Sequence, residues 1–212
     1  MKETDILVIG GSAAGIVAAV TGRSSYPEKD FLLIRKEKQV LVPCGIPYIF
    51  GSLESSDKNV VSDAGLTKAG INLMIGEIVS IDQQAKICRT ADNEEIGFEK
   101  LVLATGSTPK IPGWLKGSNL ENVFVIPKDK EYIDDMLAKL DNCQKIIIVG
   151  GGFIGVEISD ELTKRNKVIT LVEILPNILS LALDDEFAIQ AEEILQSRGV
   201  IIRKDAGVKE IL

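Results

Sequence analysis

Two stretches of the chain repeat one another position for position. Asp5-Ile-Leu-Val-Ile-Gly-Gly-Ser-Ala-Ala-Gly15 aligns with Lys145-Ile-Ile-Ile-Val-Gly-Gly-Gly-Phe-Ile-Gly155, Gly10 falling on Gly150 and Gly15 on Gly155. Each is an apolar strand that breaks into a glycine turn and continues as a helical pattern, Ala13 to about Arg23 in the first and Phe153 to about Arg165 in the second. Each helix leads to a further apolar run, Phe31 to Ile34 and Val168 to Val172. These Ile/Leu/Val runs do not alternate, which is the pattern of strands covered on both faces in a parallel sheet. Strand, turn, helix and strand, twice over, restrict the chain to α/β folds built on a pair of βαβ units.

In a turn of this kind the first glycine permits the tight bend and the second lets backbone approach a dinucleotide pyrophosphate. The third lets the helix pack closely on the strand. Gly150, Gly152 and Gly155 supply all three, and Glu173 stands at the end of the next strand, where an acid accepts from a ribose 2′-hydroxyl. That carboxylate would repel a 2′-phosphate, and no arginine follows within several residues, so NAD is favoured over NADP. The first turn keeps Gly10 and Gly15 but has Ser12 at the second position, beside Gly11. Its second strand ends on Arg35 rather than an acid, so either Glu37 serves the ribose or no residue there does.

Between the units lie three short strand candidates, Glu77 to Ile81, Lys86 to Thr90 and Phe98 to Ala104, separated by polar turns as in an antiparallel meander. Ser107-Thr-Pro-Lys-Ile-Pro-Gly-Trp114 is rich in turn formers and reads as the linker between domains. After the second unit, Asp184 is a candidate N-cap and Arg198-Gly199 a helix stop, followed by a strand over Val200 to Arg203. Val208 to Leu212 reads as the start of another strand.

Composition removes several functions. A net charge of -7 argues against a grip on nucleic acid or an anionic membrane, since both need a basic face. No basic-then-apolar leader precedes Asp5, and no apolar run approaches the roughly 18 residues that cross a bilayer, so a cytosolic chain is expected. With no histidine at all, a Ser/His triad, an imidazole acid/base or a histidine-ligated metal is excluded within this chain, and no metal site is expected. Three cysteines, at 44, 88 and 143, are too few and too far apart for a disulfide framework.

Cys44 lies in Leu41-Val-Pro-Cys-Gly-Ile-Pro-Tyr-Ile-Phe-Gly51. Pro47 at a first helical position would start a short helix just after it, bringing the positive end of a dipole near the sulfur, an arrangement that favours a reactive thiolate. A buried packing role is the alternative for any free cysteine, and it is the reading for Cys88 and Cys143. Position 49, where a CxxxxC dithiol would need its partner, is Ile49, so the redox chemistry open to Cys44 is that of one sulfur: a sulfenate, a persulfide or a mixed disulfide.

With these residues assembled, the chain resembles the single-cysteine branch of the FAD-dependent pyridine nucleotide-disulfide oxidoreductases: coenzyme A disulfide reductases, NADH oxidases and peroxidases, and NADH-dependent persulfide or polysulfide reductases. The motifs that carry the resemblance are Gly10-Gly-Ser-Ala-Ala-Gly15, Cys44-Gly-Ile-Pro-Tyr48, Ala104-Thr-Gly106 and Gly150-Gly-Gly-Phe-Ile-Gly-Val-Glu157, spread over the length of the chain. What it implies is an α/β chain of two Rossmann-like three-layer dinucleotide-binding domains, each with a central parallel sheet and a small antiparallel meander. Residues 1–113 would bind FAD and residues 114–212 NADH.

In that arrangement Gly10, Gly11, Ser12, Ala13, Ala14 and Gly15 hold the FAD pyrophosphate, Arg35, Pro43 and the backbone near Ile78 also contact FAD, and Ala104, Thr105 and Gly106 close over the flavin nucleotide. Gly150, Gly152, Ile154 and Gly155 hold NADH with Glu173 on its ribose, Phe153 gates the flavin and Glu157 positions the nicotinamide. Cys44 faces the flavin and passes two electrons to a small sulfur substrate. The alternatives are an NADH oxidase acting through a Cys44 sulfenate, an electron-transfer reductase in which Cys44 is structural, and a non-catalytic nucleotide-binding module. The chain departs from the family pattern at Val40, where coenzyme A disulfide reductases place a serine, at Ala13, where peroxidases place a histidine, and at Arg35. Family members run to roughly twice this length, and the resemblance puts a homodimerisation region outside these residues.

Overall fold

A computed structural model describes all 212 residues, Met1–Leu212. In chain order its elements are β1 (Lys2–Ile9), α1 (Ala13–Ser25), β2 (Phe31–Arg35), α2 (Ile46–Ile49), α3 (Ala64–Lys68), β3 (Asn72–Ile75), β4 (Ile78–Asp82), β5 (Ile87–Thr90), β6 (Glu95–Leu103), α4 (Lys130–Asp141), β7 (Lys145–Val149), α5 (Phe153–Thr163), β8 (Val168–Val172), α6 (Asp185–Ser197) and β9 (Ile201–Arg203). No helix is long and apolar enough to cross a membrane.

The chain divides into two compact units. One comprises Met1–Pro43 with Val60–Thr108, the other Cys44–Asn59 with Pro109–Leu212. These compact units do not coincide with the stretches 1–113 and 114–212, because the excursion Cys44–Asn59 groups with the second unit. Specific polar contacts hold it there: Ser52 N donates to Glu161 Oε2 at 2.6 Å, Arg165 Nε to Phe50 O at 2.6 Å, and Lys130 Nζ pairs with Asp57 at 2.9 Å. A linear reading of periodicity carries no signal for such an excursion.

The first unit is a six-stranded sheet in the order β3-β2-β1-β6-β5-β4. The pairs β1–β2, β2–β3 and β1–β6 are parallel, while β5–β6 and β4–β5 are antiparallel. Alternate residues of the parallel strands feed two cores. Val8, Leu33 and Phe31 pack with Ala19 of α1 and Leu66 of α3 on one face, and Leu7, Ile9, Leu32 and Ile34 pack with Cys88, Ile96 and Phe98 of the meander on the other. Helix, sheet and meander make the three layers, and burial on both faces is why these runs do not alternate. Strand β3 and helices α3 and α4 have no counterpart among the elements that the sequence predicts. Helix α4 is capped by Asp129, whose side chain accepts from Tyr132 N at 3.0 Å.

In the second unit β7, β8 and β9 form a parallel sheet in that order. Ile158 and Leu162 of α5, Leu195 of α6, and Ile169 and Leu171 of β8 are buried. The opposite face is open: Ile147 is 70% and Val149 56% exposed. The meander expected in each domain is thus present in the first unit and absent from the second. Val208 to Leu212 is not a strand either. Its regular contact is a single bridge between Glu210 and Lys116, with Ile211 N donating to Lys116 O at 2.9 Å.

Candidate functional site

Both glycine turns have the conformation that the repeat requires. Gly10 (φ +112°) and Gly150 (φ +105°) sit in the left-handed half of backbone space, and each donates its N–H across the sheet, to Ile34 O and Val172 O respectively, at 2.8 Å. Helices α1 and α5 start at once, with Ser12 and Gly152 as extended N-caps that make no side-chain cap. The first intrahelical bonds run from Ile16 N to Ser12 O and from Val156 N to Gly152 O, both 3.0 Å. Amides ahead of them have no helical acceptor and point out along the axis, the arrangement that binds a phosphate. The Ser12 hydroxyl is buried without a partner, and nothing lies within 4 Å of where a Cβ on Gly152 would be. An unsatisfied donor in one cradle and open space in the other both fit a pyrophosphate approaching the backbone.

In the first unit the parallel pairing of β1 with β6 brings Ala104 beside Gly10: Ala104 N donates to Ile9 O at 2.8 Å, and a Cβ on Gly10 would lie 2.0 Å from Ala104 O. Ile78 and Thr105, separated in sequence, line one shallow pocket of about 310 Å³ with Ile9, Ser80 and Leu103. The structure therefore places Gly10, Ala104 and Thr105 together at the carboxyl ends of β1 and β6, where ligands of open α/β sheets bind, with Ile78 of the meander lining the same pocket as Thr105.

The residues ending the second strand of each unit differ in charge and in what they hold. Glu173, 8% exposed, accepts from Gly151 N through Oε2 at 2.6 Å and from Leu175 N through Oε1 at 2.7 Å. A Cβ on Gly151 would come within 3.0 Å of that carboxylate and 2.8 Å of Ile178, so the acid lies directly beneath the turn. Arg35, 3% exposed, lies beneath Gly11 in the same way, its Cδ 2.3 Å from a Cβ built there. Its guanidinium pairs with both oxygens of Asp63 at 2.7 and 2.8 Å and donates to Glu37 O at 2.9 Å and Lys38 O at 3.0 Å. Asp63 escaped the sequence reading because nothing in a local pattern links it to a residue so far upstream.

Cys44 is exposed in a 3₁₀ turn, Pro43–Gly45, immediately before α2, which contains Pro47 in its first turn. Helix α2 is a single turn, so the dipole behind the sulfur is that of a few peptide units. Ile46, Ile49 and Phe50 are buried and fix this turn, and Ile49 occupies the place a second thiol would need. The segment Cys44–Asn59 is tied to α5 by Glu161. Burial raises the pKa of this carboxyl, but the Lys164 ammonium and the Ser52 amide and hydroxyl outweigh burial and hold it below the usual carboxylate range. Helix α5 is thus shared: its N-cap is Gly152, its first turn carries Phe153 and Ile154, 58% and 57% exposed, and its third turn anchors the segment Cys44–Asn59. Glu157, exposed, lies one turn beyond Phe153 on the same side of α5. Cys88 is fully buried and burial pushes its thiol up, as a packing residue requires. Cys143 corrects the packing expectation, being exposed with its Sγ 3.5 Å from Lys139 O. No group of His, Cys, Asp and Glu side chains is placed to hold a metal.

Two Rossmann-like glycine turns on parallel-dominated sheets match the fold of FAD/NAD-binding oxidoreductases. The chain belongs to the pyridine nucleotide-disulphide oxidoreductase family, whose model matches residues 4–212, and the family uses FAD and NADH. Among curated relatives it is similar to an NADH oxidase of Methanocaldococcus jannaschii, 28% identical over 97% of this chain and 48% of that protein. It is also similar to an NAD(P)H coenzyme A polysulfide/persulfide reductase of Pyrococcus horikoshii, 29% identical over 90% of this chain and 44% of that protein. Among solved structures, the NAD-dependent persulfide reductase from A. fulgidus superposes with a TM-score of 0.89 at 27% identity, covering 98% of this chain and 41% of that one. The chain thus spans less than half the length of each of these relatives.

Proposed function

We propose that the first unit binds FAD, that the second binds NADH, and that the protein serves an NADH-dependent flavoprotein reductase acting on a small sulfur substrate, a disulfide, persulfide or polysulfide. The observation that carries this reading is Cys44: an exposed sulfur on the segment Cys44–Asn59 anchored to α5, with a buried isoleucine where a second thiol would stand. Bound in the two cradles, FAD and NADH supply hydride transfer and a two-electron reservoir. The chain's own part is to hold the two pyrophosphates on the amides of α1 and α5, to favour NADH through Glu173, and to present one cysteine sulfur for exchange with the sulfur of the substrate. Ala104 to Gly106, Phe153 and Glu157 are assigned here to the flavin and nicotinamide on the strength of the family resemblance. A homodimer and a cytosolic site of action belong to the same proposal.

Cys44→Ser tests it. Polysulfide reduction by NADH is expected to fall by at least about a hundredfold, the order associated with removing a covalent nucleophile, while reduction of a one-electron dye continues. Unchanged sulfur reduction would remove Cys44 from the chemistry and favour an electron-transfer reductase.

A further inference from the structure

The first unit has no acid at the end of β2, yet a carboxylate is delivered to the same neighbourhood. Arg35 fills the strand-end position, runs beneath Gly11, and has a side chain only 1% exposed. It pairs with both oxygens of Asp63, and its remaining contacts are carbonyls, Glu37 O and Lys38 O, which fold the chain after β2 back over the strand. The other side of Asp63 is set independently by the pairing of Val40 with Val61, whose N–H donates to Val40 O at 2.8 Å. Asp63 itself is 39% exposed at its side chain. Each carboxylate oxygen accepts about two hydrogen bonds and Arg35 takes one on each, so acceptor capacity remains on the solvent side.

We infer that Asp63, positioned by Arg35, is the acceptor for the adenosine ribose hydroxyls of the dinucleotide held by the first glycine turn. The inference rests on the reading of that turn as the FAD site. Where the second unit puts the acid itself under the turn, the first unit puts a cation there and uses it to hold an acid brought from the segment before α3. Arg35 is then a positioning residue, and its charge is neutralised by the group it positions. A direct contact of a buried guanidinium with a neutral ribose would leave Asp63 without a role, whereas the bidentate pair fixes the carboxylate in one orientation. Glu37, the acid two residues beyond Arg35 in sequence, contributes its backbone carbonyl to Arg35.

The test compares FAD with an analogue whose adenosine ribose lacks both the 2′- and 3′-hydroxyls, titrated into the full chain by quenching of flavin fluorescence. The wild-type protein is expected to prefer FAD by about ten- to a hundredfold, the range of a hydrogen bond to a charged acceptor. Asp63→Asn is expected to erase that preference, binding FAD weakly and the analogue as before. Arg35→Lys, which keeps the charge and loses the fork, is expected to reduce the preference in part. Equal weakening of both ligands in Asp63→Asn would assign Asp63 to folding alone and overturn the inference. Loss of the preference in Glu37→Gln with Asp63→Asn unchanged would overturn it in favour of Glu37. A wild-type chain that binds neither ligand would overturn the assignment of the first turn to FAD, and this inference with it.

Discussion

The two βαβ units use nearly one backbone and two different surroundings. Their turns differ by a few degrees at Gly10 and Gly150, and both open helices with uncapped N-termini. Around Gly10, however, the chain is crowded by Ala104, whereas around Gly150 no atom lies within 4 Å of a built Cβ. The first sheet is covered on both faces and the second on one. Beneath the turns lie opposite charges, Arg35 and Glu173. On the proposed function, the repeated turn would serve the part common to all dinucleotides, the pyrophosphate, and the divergent side chains around it the parts that distinguish one nucleotide from another.

Substitutions at matched positions sharpen that comparison. The largest effect is expected at Gly10→Ala, which would force a Cβ to within 2.0 Å of a backbone carbonyl in a left-handed conformation. Thermal unfolding should show the first unit losing most of its stability. Gly150→Ala meets only the backbone strain, on the order of 1–3 kcal/mol, and should leave the second unit folded. Equal losses at the two sites would mean that the crowding by Ala104 does not decide the outcome.

Next is the contrast between the sheets. Leu33→Ala, in a residue with no exposed surface, is expected to cost about 2–5 kcal/mol in denaturant unfolding. Ile147→Ala, at 70% exposure, is expected to stay within about 0.5 kcal/mol. A large loss at Ile147 would show that its face is covered in solution.

A smaller, pH-dependent effect is expected at Glu161. Its folded pKa is held below the ordinary value of 4.5, so its contribution is present above that pH and is lost as pH falls through the folded pKa. Glu161→Gln should lower the melting temperature of the second unit at neutral pH, and the gap from wild type should close as the buffer is taken below about pH 4.5. A gap that stays constant to low pH would contradict the role of the carboxylate. Smallest is Lys116→Ala. It removes an exposed pair with Glu210, 2.9 Å long, and should change stability by less than about 1 kcal/mol.

How much of this was legible in the sequence follows from the range of each interaction. The glycine turns, α1, α5, β8 and the meander are written in local periodicity and turn chemistry, and they lie within a few residues of where the sequence puts them. Ala104, Thr105 and Ile78 could be tied to Gly10 only through family likeness, since strand pairing and not local pattern brings them together. The pairing of Arg35 with Asp63 and the attachment of Cys44–Asn59 to the second unit depend on contacts between distant segments. The open face of β7 defeats the sequence rule outright. Ile146-Ile-Ile-Val149 has the composition of a strand buried on both sides, and in this chain one side is exposed.

On the proposed function each unit binds its own dinucleotide, and Glu173 selects NADH over NADPH in the second. An anaerobic titration of the FAD-loaded protein, followed by visible absorption, tests it most directly. The flavin band should bleach on addition of NADH and respond far more weakly to NADPH. A chain that retains no flavin, or whose flavin is bleached equally by both nicotinamides, would contradict the assignment.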